Sequence, residues 1–158
     1  MAQSTAITEI LYAAELSGLN EVPPTTSGGE GTATFKWIDN RLLHFRLVVS
    51  HLTEITAAHI HMGAPGSDGP IVVTLYSSAK GSTGSGLVVS GYIHRSDLMG
   101  PLKGQPLSAL VRQMNRGNTY VNVHTIRYPN GAIRGQIRKT ENVVVEPPND
   151  WWRDGSWS

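Results

Sequence analysis

Two histidines separated by one residue are the most chemically suggestive feature of this sequence. His59 and His61 flank Ile60, and on a β-strand residues two apart point to the same face, with their backbones about 6–7 Å apart. A third histidine, His124, ends the apolar stretch at residues 121–124. If the two strands pair or face one another, the three imidazoles converge. Neutral imidazole binds copper, zinc, iron and nickel, and the chain has no cysteine, so an all-histidine site favours Cu(II) first and Zn(II) second.

A structural role explains the same histidines without a metal. His59 and His61 could donate hydrogen bonds to carbonyls of the glycine-rich loop at 63–69 and so hold it closed. A non-metal ligand site is a third reading. If a metal is bound, His44, His51 or His94 could add a fourth ligand. His44 and His51 are an odd number of residues apart, so at most one of them should face the site.

An arginine near the end of the apolar pattern is the next candidate. Arg134 follows the turn signal Asn130-Gly131 and alternates with apolar residues. It could guide an anion to the histidines. The preferred reading is structural, with Arg134 in a salt bridge to Glu21, which lies beside the prolines at 23 and 24. The segment Ser67-Asp68-Gly69 predicts that Asp68 is a turn residue. The sequence identifies no catalytic residue.

Alternating apolar and polar residues predict a series of short strands. The clearest two cover residues 31–38 and 42–49 and are joined by a turn at Asp39-Asn40. Residues 107–116 have helical spacing, with Gly117 at the expected end of the helix. The other predicted strands cover residues 7–16, 55–62, 71–76, 87–93, 119–126 and 132–138.

These elements predict an all-β Greek-key sandwich or flattened barrel with one short inserted helix. Residues 1–139 form the predicted domain and 140–158 a C-terminal tail. The tail contains Trp151, Trp152 and Trp157, which we expect to pack on the domain, on another copy of the chain or on a protein partner rather than remain exposed.

Composition excludes several classes of protein. The net charge is +1 with no basic block, so nucleic acid is not an expected partner. No apolar stretch approaches the roughly 20 residues of a membrane span. Residues 1–8 lack a basic stretch followed by an apolar run, so no signal peptide is predicted there.

Four segments, taken in order, resemble the CHRD (chordin-type) domain. They are residues 16–24 (LSGLNEVPP), 58–66 (AHIHMGAPG) with Gly69-Pro70, 117–125 (GNTYVNVHT) and 129–137 (PNGAIRGQI). Each is weak alone, but four in this order make the match specific, and the resemblance covers roughly residues 11–139. The resemblance implies the fold and a secreted or extracytoplasmic location, and it supplies no reaction.

The order of elements is also similar, more distantly, to copper/zinc superoxide dismutase. By that resemblance His59, His61 and His124 would match copper ligands and Arg134 the anion guide. His94 is the one histidine between His61 and His124, so the zinc site would be absent or reduced. Three functions follow: a CHRD-family binding domain with a copper site, a copper-only dismutase-like enzyme, or a metal-free extracellular interaction module.

Overall fold

A computed structural model describes residues 6–145 of the chain, and most of these residues lie in strands. The alternation that predicts strands from sequence appears as alternating burial, for example in the strand that contains Phe35 and Trp37. The nine strands are β1 (Ile7–Ser17), β2 (Glu30–Ile38), β3 (Leu42–Thr53), β4 (Ile55–Met62), β5 (Ile71–Ser77), β6 (Ser85–Ile93), β7 (Thr119–Thr125), β8 (Ile133–Gln136) and β9 (Arg138–Val145).

One α-helix, α1 (Leu107–Asn115), lies between β6 and β7. Its apolar face is buried through Ala109, Leu110, Val111 and Met114. The helix ends at Asn115, and Gly117 follows as the predicted terminating glycine: its φ of 69° lies in the left-handed region and its N–H donates to the carbonyl of Met114. Three short 3₁₀ turns complete the regular structure of residues 6–145, at Gly18–Asn20, Arg95–Asp97 and Gly100–Leu102.

All strand pairs are antiparallel, in the order β5-β4-β7-β8-β1-β2-β3-β6, and β9 pairs with β1. The pairings β4–β7 and β3–β6 join strands that are distant in sequence. The end strands β5 and β6 also make contact, so the sheet is a nearly closed, flattened barrel. The predicted all-β class with one short helix is confirmed.

The last predicted strand, over residues 132–138, is two strands. β8 pairs with β7 and with Ser17 of β1, whereas β9 pairs with β1 from Ala13 to Ile7. Pairing therefore continues to Val145, beyond the predicted domain boundary at residue 139. Trp151, Trp152 and Trp157 lie outside the described residues. No helix within residues 6–145 is long and apolar enough to cross a membrane.

Strands β4 and β7 each present one apolar and one polar face. Ala58, Ile60, Val121 and Val123 are fully buried in the core. The residues between them point to the opposite face, where His59 lies directly across from Asn122 in the β4–β7 register. Loops on either side of β4 and β7 cover their polar face. This polar face carries the candidate site.

Candidate metal centre

The three predicted histidines converge on the polar face of β4 and β7. One ring nitrogen from each of His59, His61 and His124 lies within 4.8 Å of the others. The ring centroids are 5.7 Å apart for His59 and His61 and 5.1 Å apart for His59 and His124. The antiparallel pairing of β4 with β7 produces this approach, because Ala57 lies opposite His124 and His59 opposite Asn122.

Backbone carbonyls fix the protonation of two of the three rings. The Nδ1–H of His61 donates to the carbonyl of Gly69, and the Nδ1–H of His124 donates to the carbonyl of Pro129, both at 2.8 Å. A carbonyl can only accept, so in the neutral rings Nδ1 carries the proton and Nε2 carries a lone pair. Both lone pairs point into the cluster. This is the arrangement in which a histidine serves as a metal ligand while its second nitrogen is held by an outer partner.

His59 differs from its two neighbours. Its Nδ1 is buried and has no hydrogen-bond partner among the described residues. Desolvation by burial, with the nearby rings of His124 and His61, lowers the pKa of His59 to about 4. Burial also lowers the pKa of His61. His59 and His61 are therefore neutral at neutral pH, which is the form that binds metal. The prediction that histidines hold the loop closed is confirmed for His61 but not for His59.

A layer of contacts behind His61 fixes its orientation. The ring of Tyr120 stacks on His61 with centroids 4.8 Å apart and an interplanar angle of 9°. The N–H of Gly69 donates to the Tyr120 hydroxyl at 3.0 Å, while the carbonyl of Gly69 accepts from His61. One loop residue thus links both rings, and the 63–70 loop and the histidine cluster form one unit.

Arg134 anchors that same loop from β8. Its guanidinium is buried, with its Cζ 3.4 Å from the centroid of the Tyr120 ring, and it donates to the carbonyls of Ala64 and Ser67. Its ion pair is with Asp68 at 3.2 Å. The predicted salt bridge to Glu21 is therefore wrong in its partner, because the loop rather than the N-terminal segment supplies the carboxylate. Asp68, expected to be a simple turn residue, is that carboxylate.

Glu21 is buried at the end of the polar face, with 6% of its surface exposed. Its Oε2 has no hydrogen-bond partner among the described residues. Desolvation raises the pKa of Glu21 to about 7, against the opposing attraction of Arg134, and Asp68 adds to the increase. Glu21 therefore faces the charge of Arg134 through space without a direct contact.

Asn122 is the polar residue that the sequence did not single out. It is 4% exposed, and its Oδ1 lies 2.8 Å from Nε2 of His61 and 3.1 Å from Nε2 of His124. In the sequence Asn122 is a polar residue between Val121 and Val123, a pattern that is common in strands with one polar face. Its place in the cluster follows from the pairing of β4 and β7, which the sequence alone does not define.

The three candidate fourth histidines are not part of this group. His44 lies on β3 and its ring contacts Tyr92, and His51 and His94 are exposed. None of the three joins the histidine cluster, because they belong to β3 or follow β6, on the other side of the strand order from β4 and β7.

Fold and site together define an all-β barrel domain with a partly buried polar cluster on one sheet face. The family model of the CHRD domain matches residues 12–137, and the chain belongs to this family. No curated protein and no solved structure matches the chain significantly.

Proposed function

We propose that this CHRD domain is an extracytoplasmic binding domain whose histidine cluster holds a metal ion, with Cu(II) preferred over Zn(II). One observation carries the proposal. His59, His61 and His124 converge from adjacent strands, and two of them direct unprotonated Nε2 atoms into the cluster because carbonyls hold their Nδ1 protons. A cluster that served only to close the loop would have no need of His59, whose buried Nδ1 has no hydrogen-bond partner among the described residues.

The size of the cluster suits one ion after a small adjustment. A metal bound at about 2.0–2.1 Å from each nitrogen spans at most about 4.2 Å between two of them. The 4.8 Å limit of the present cluster therefore requires an approach of roughly half an ångström. Rotation of His59 can supply it, because that ring has no hydrogen bond at its Nδ1 to break.

Calorimetric titration of metal-free protein with Cu(II) and with Zn(II) tests the proposal. We expect one ion per chain for the wild type, tighter binding of Cu(II), and loss of binding in the His59→Ala/His61→Ala variant. The matched control is His44→Ala/His94→Ala, which removes the same number of histidines outside the cluster and should bind as the wild type does. Circular dichroism of each variant verifies that the fold is retained. Equal binding by the two double variants would refute a site at the cluster.

A redox enzyme resembling copper-only superoxide dismutase is a second candidate. Such an enzyme needs a ligand position open to solvent, and His59 and His124 are both partly exposed. Arg134 does not support this candidate, because its side chain is 2% exposed and its guanidinium binds the 63–70 loop. A superoxide assay of copper-loaded protein, with the His59→Ala/His61→Ala variant as control, tests it.

A metal-free interaction module is the third candidate, favoured by an exposed apolar face on β3 and β6. Val48 pairs with Val88 and His44 with Tyr92 across these strands, and Val88 and Tyr92 are 61% and 50% exposed. Exposed apolar patches of this kind are typical of contact surfaces. This is the function to pursue if the titration shows no metal binding.

A further inference from the structure

The Asn122 side chain faces the histidine cluster in an arrangement that neutral hydrogen bonding does not satisfy. Its Oδ1 lies 2.8 Å from Nε2 of His61 and 3.1 Å from Nε2 of His124. Both Nε2 atoms carry lone pairs, because the Nδ1 protons are donated to Gly69 and Pro129. Three electron-pair donors therefore meet with no proton between them.

Two arrangements resolve this conflict. If the amide is reversed, its NH₂ group donates to both imidazoles. Alternatively, a cation lies among the three donors and binds all of them. We propose the second: Asn122 is a fourth ligand of the metal site, through Oδ1. This inference rests on the proposed function and adds to it a ligand and a coordination geometry.

The environment on the other side of the amide favours this orientation. Nδ2 of Asn122 and Oε2 of Glu21 both border the backbone of Gly131, where an added Cβ would lie 2.9 Å from the first atom and 2.5 Å from the second. The N–H groups of the amide thus face the side of a buried carboxyl group, and its oxygen faces the histidines. When Glu21 is ionised, a reversed amide would turn its carbonyl oxygen toward a carboxylate that can only accept hydrogen bonds.

The distances also define the geometry that an ion would adopt. With bonds of about 2.0–2.1 Å, separations of 2.8 and 3.1 Å correspond to angles of roughly 85–90° and 95–100° at the ion. Near-right angles between nitrogen and oxygen ligands are typical of tetragonal Cu(II), whereas structural Zn(II) prefers tetrahedral angles. An amide oxygen ligand at these angles would favour Cu(II) over Zn(II).

Two nearly isosteric variants test the assignment, with Cu(II) alone as the probe. Asn122→Leu removes the oxygen and should weaken Cu(II) binding at least about tenfold, as loss of a partner at a metal site does. Asn122→Asp replaces a neutral ligand with a charged one, so it should bind Cu(II) more tightly and change the electron paramagnetic resonance spectrum of the bound ion. Circular dichroism of the metal-free variants separates these effects from unfolding.

The outcomes distinguish this inference from the proposed function. If the wild type binds Cu(II) through the histidines but Asn122→Leu binds as tightly or more tightly, the amide caps the histidines and the ligand assignment is overturned alone. If the wild type shows no histidine-dependent binding, both fail. Should Asn122→Leu not fold, Asn122→Asp decides the question: unchanged affinity and an unchanged spectrum overturn the assignment.

Discussion

Gly69 is the residue on which the site depends most directly without supplying a side chain. Its carbonyl accepts from His61, its N–H donates to Tyr120, and a Cβ at this position would lie 1.5 Å from the carbonyl oxygen of Met62. No side chain fits there unless the 63–70 loop moves. The backbone of Gly69 does not have a positive φ. Glycine is required there because the two backbone segments approach so closely.

We expect Gly69→Ala to destabilise the protein by about 2–3 kcal/mol, as overpacking of a closed site does, and to weaken metal binding. Gly28→Ala is the matched control, because a Cβ there meets nothing within 4 Å, and it should change stability by less than about 0.5 kcal/mol. Urea denaturation measures both. Similar values for the two variants would contradict the close packing of the loop.

Arg134 carries the second residue-scale prediction. Arg134→Met keeps the length of the side chain and removes the hydrogen-bond donors to Ala64, Ser67 and Asp68. We therefore expect the free energy of unfolding to decrease by about 2–3 kcal/mol. Asp68→Asn should cost less than about 1 kcal/mol, because Asp68 is 69% exposed and solvent screens its charge. Chemical denaturation gives the comparison, and an equal effect of both variants would show that the ion pair rather than the carbonyl contacts dominates.

At the scale of elements, a side-chain hydrogen bond joins helix α1 to strand β1 of the sheet. The hydroxyl of Tyr12 on β1 donates to Oδ1 of Asn115 at 2.6 Å, and Tyr12 is otherwise buried in the core. Tyr12→Phe retains the packing and loses this bond, so we expect a cost of about 1 kcal/mol. Tyr92→Phe, at an exposed ring, should have no measurable effect. Thermal unfolding at pH 7 resolves the two, and identical midpoints would contradict the anchoring role.

The sequence predicts elements well where one face is buried and poorly where tertiary pairing decides. Strand β4 has the predicted bounds, 55–62, and α1 ends one residue before the predicted end. β9 (Arg138–Val145) has no clear strand pattern in the sequence, because it begins with polar residues and gains its order from pairing with β1. Asn122 and Asp68 were missed as site residues for the same reason: their partners come from other strands and from a loop, and no local pattern encodes that meeting.

At the scale of the whole molecule, two groups whose pKa values are shifted by desolvation have opposite effects on stability as the pH changes. The pKa of Glu21 is raised by burial, so the folded state holds its proton more tightly than the unfolded state. Its contribution to stability is then complete below about pH 4.5 and is lost as the pH rises through about 7. The pKa of His59 is lowered by burial, so its contribution is present above pH 6.5 and is lost as the pH falls toward about 4.

We therefore expect Glu21→Gln to remove the alkaline part of this dependence. Glutamine has the shape of the protonated carboxyl group, so the variant should match the wild type near pH 4.5 and exceed it at pH 8 by at most about 3 kcal/mol. The difference in unfolding free energy between variant and wild type, measured in urea from pH 4.5 to 8, isolates this group. A difference that does not change with pH would contradict the raised pKa.

The acid side of the curve links stability to the metal site. In metal-free protein, protonation of His59 should cost up to about 3 kcal/mol between pH 6.5 and 4, and His59→Gln should remove that cost. Bound metal stabilises only the neutral histidines, so at saturating Cu(II) the wild-type unfolding midpoint should increase at pH 7 and this increase should shrink as the pH falls. His59→Gln should show neither the increase nor its decline. Thermal scans with and without Cu(II) at pH 7 and pH 5 measure this. An increase that is the same at both pH values would mean that the stabilising ion is bound away from these three histidines.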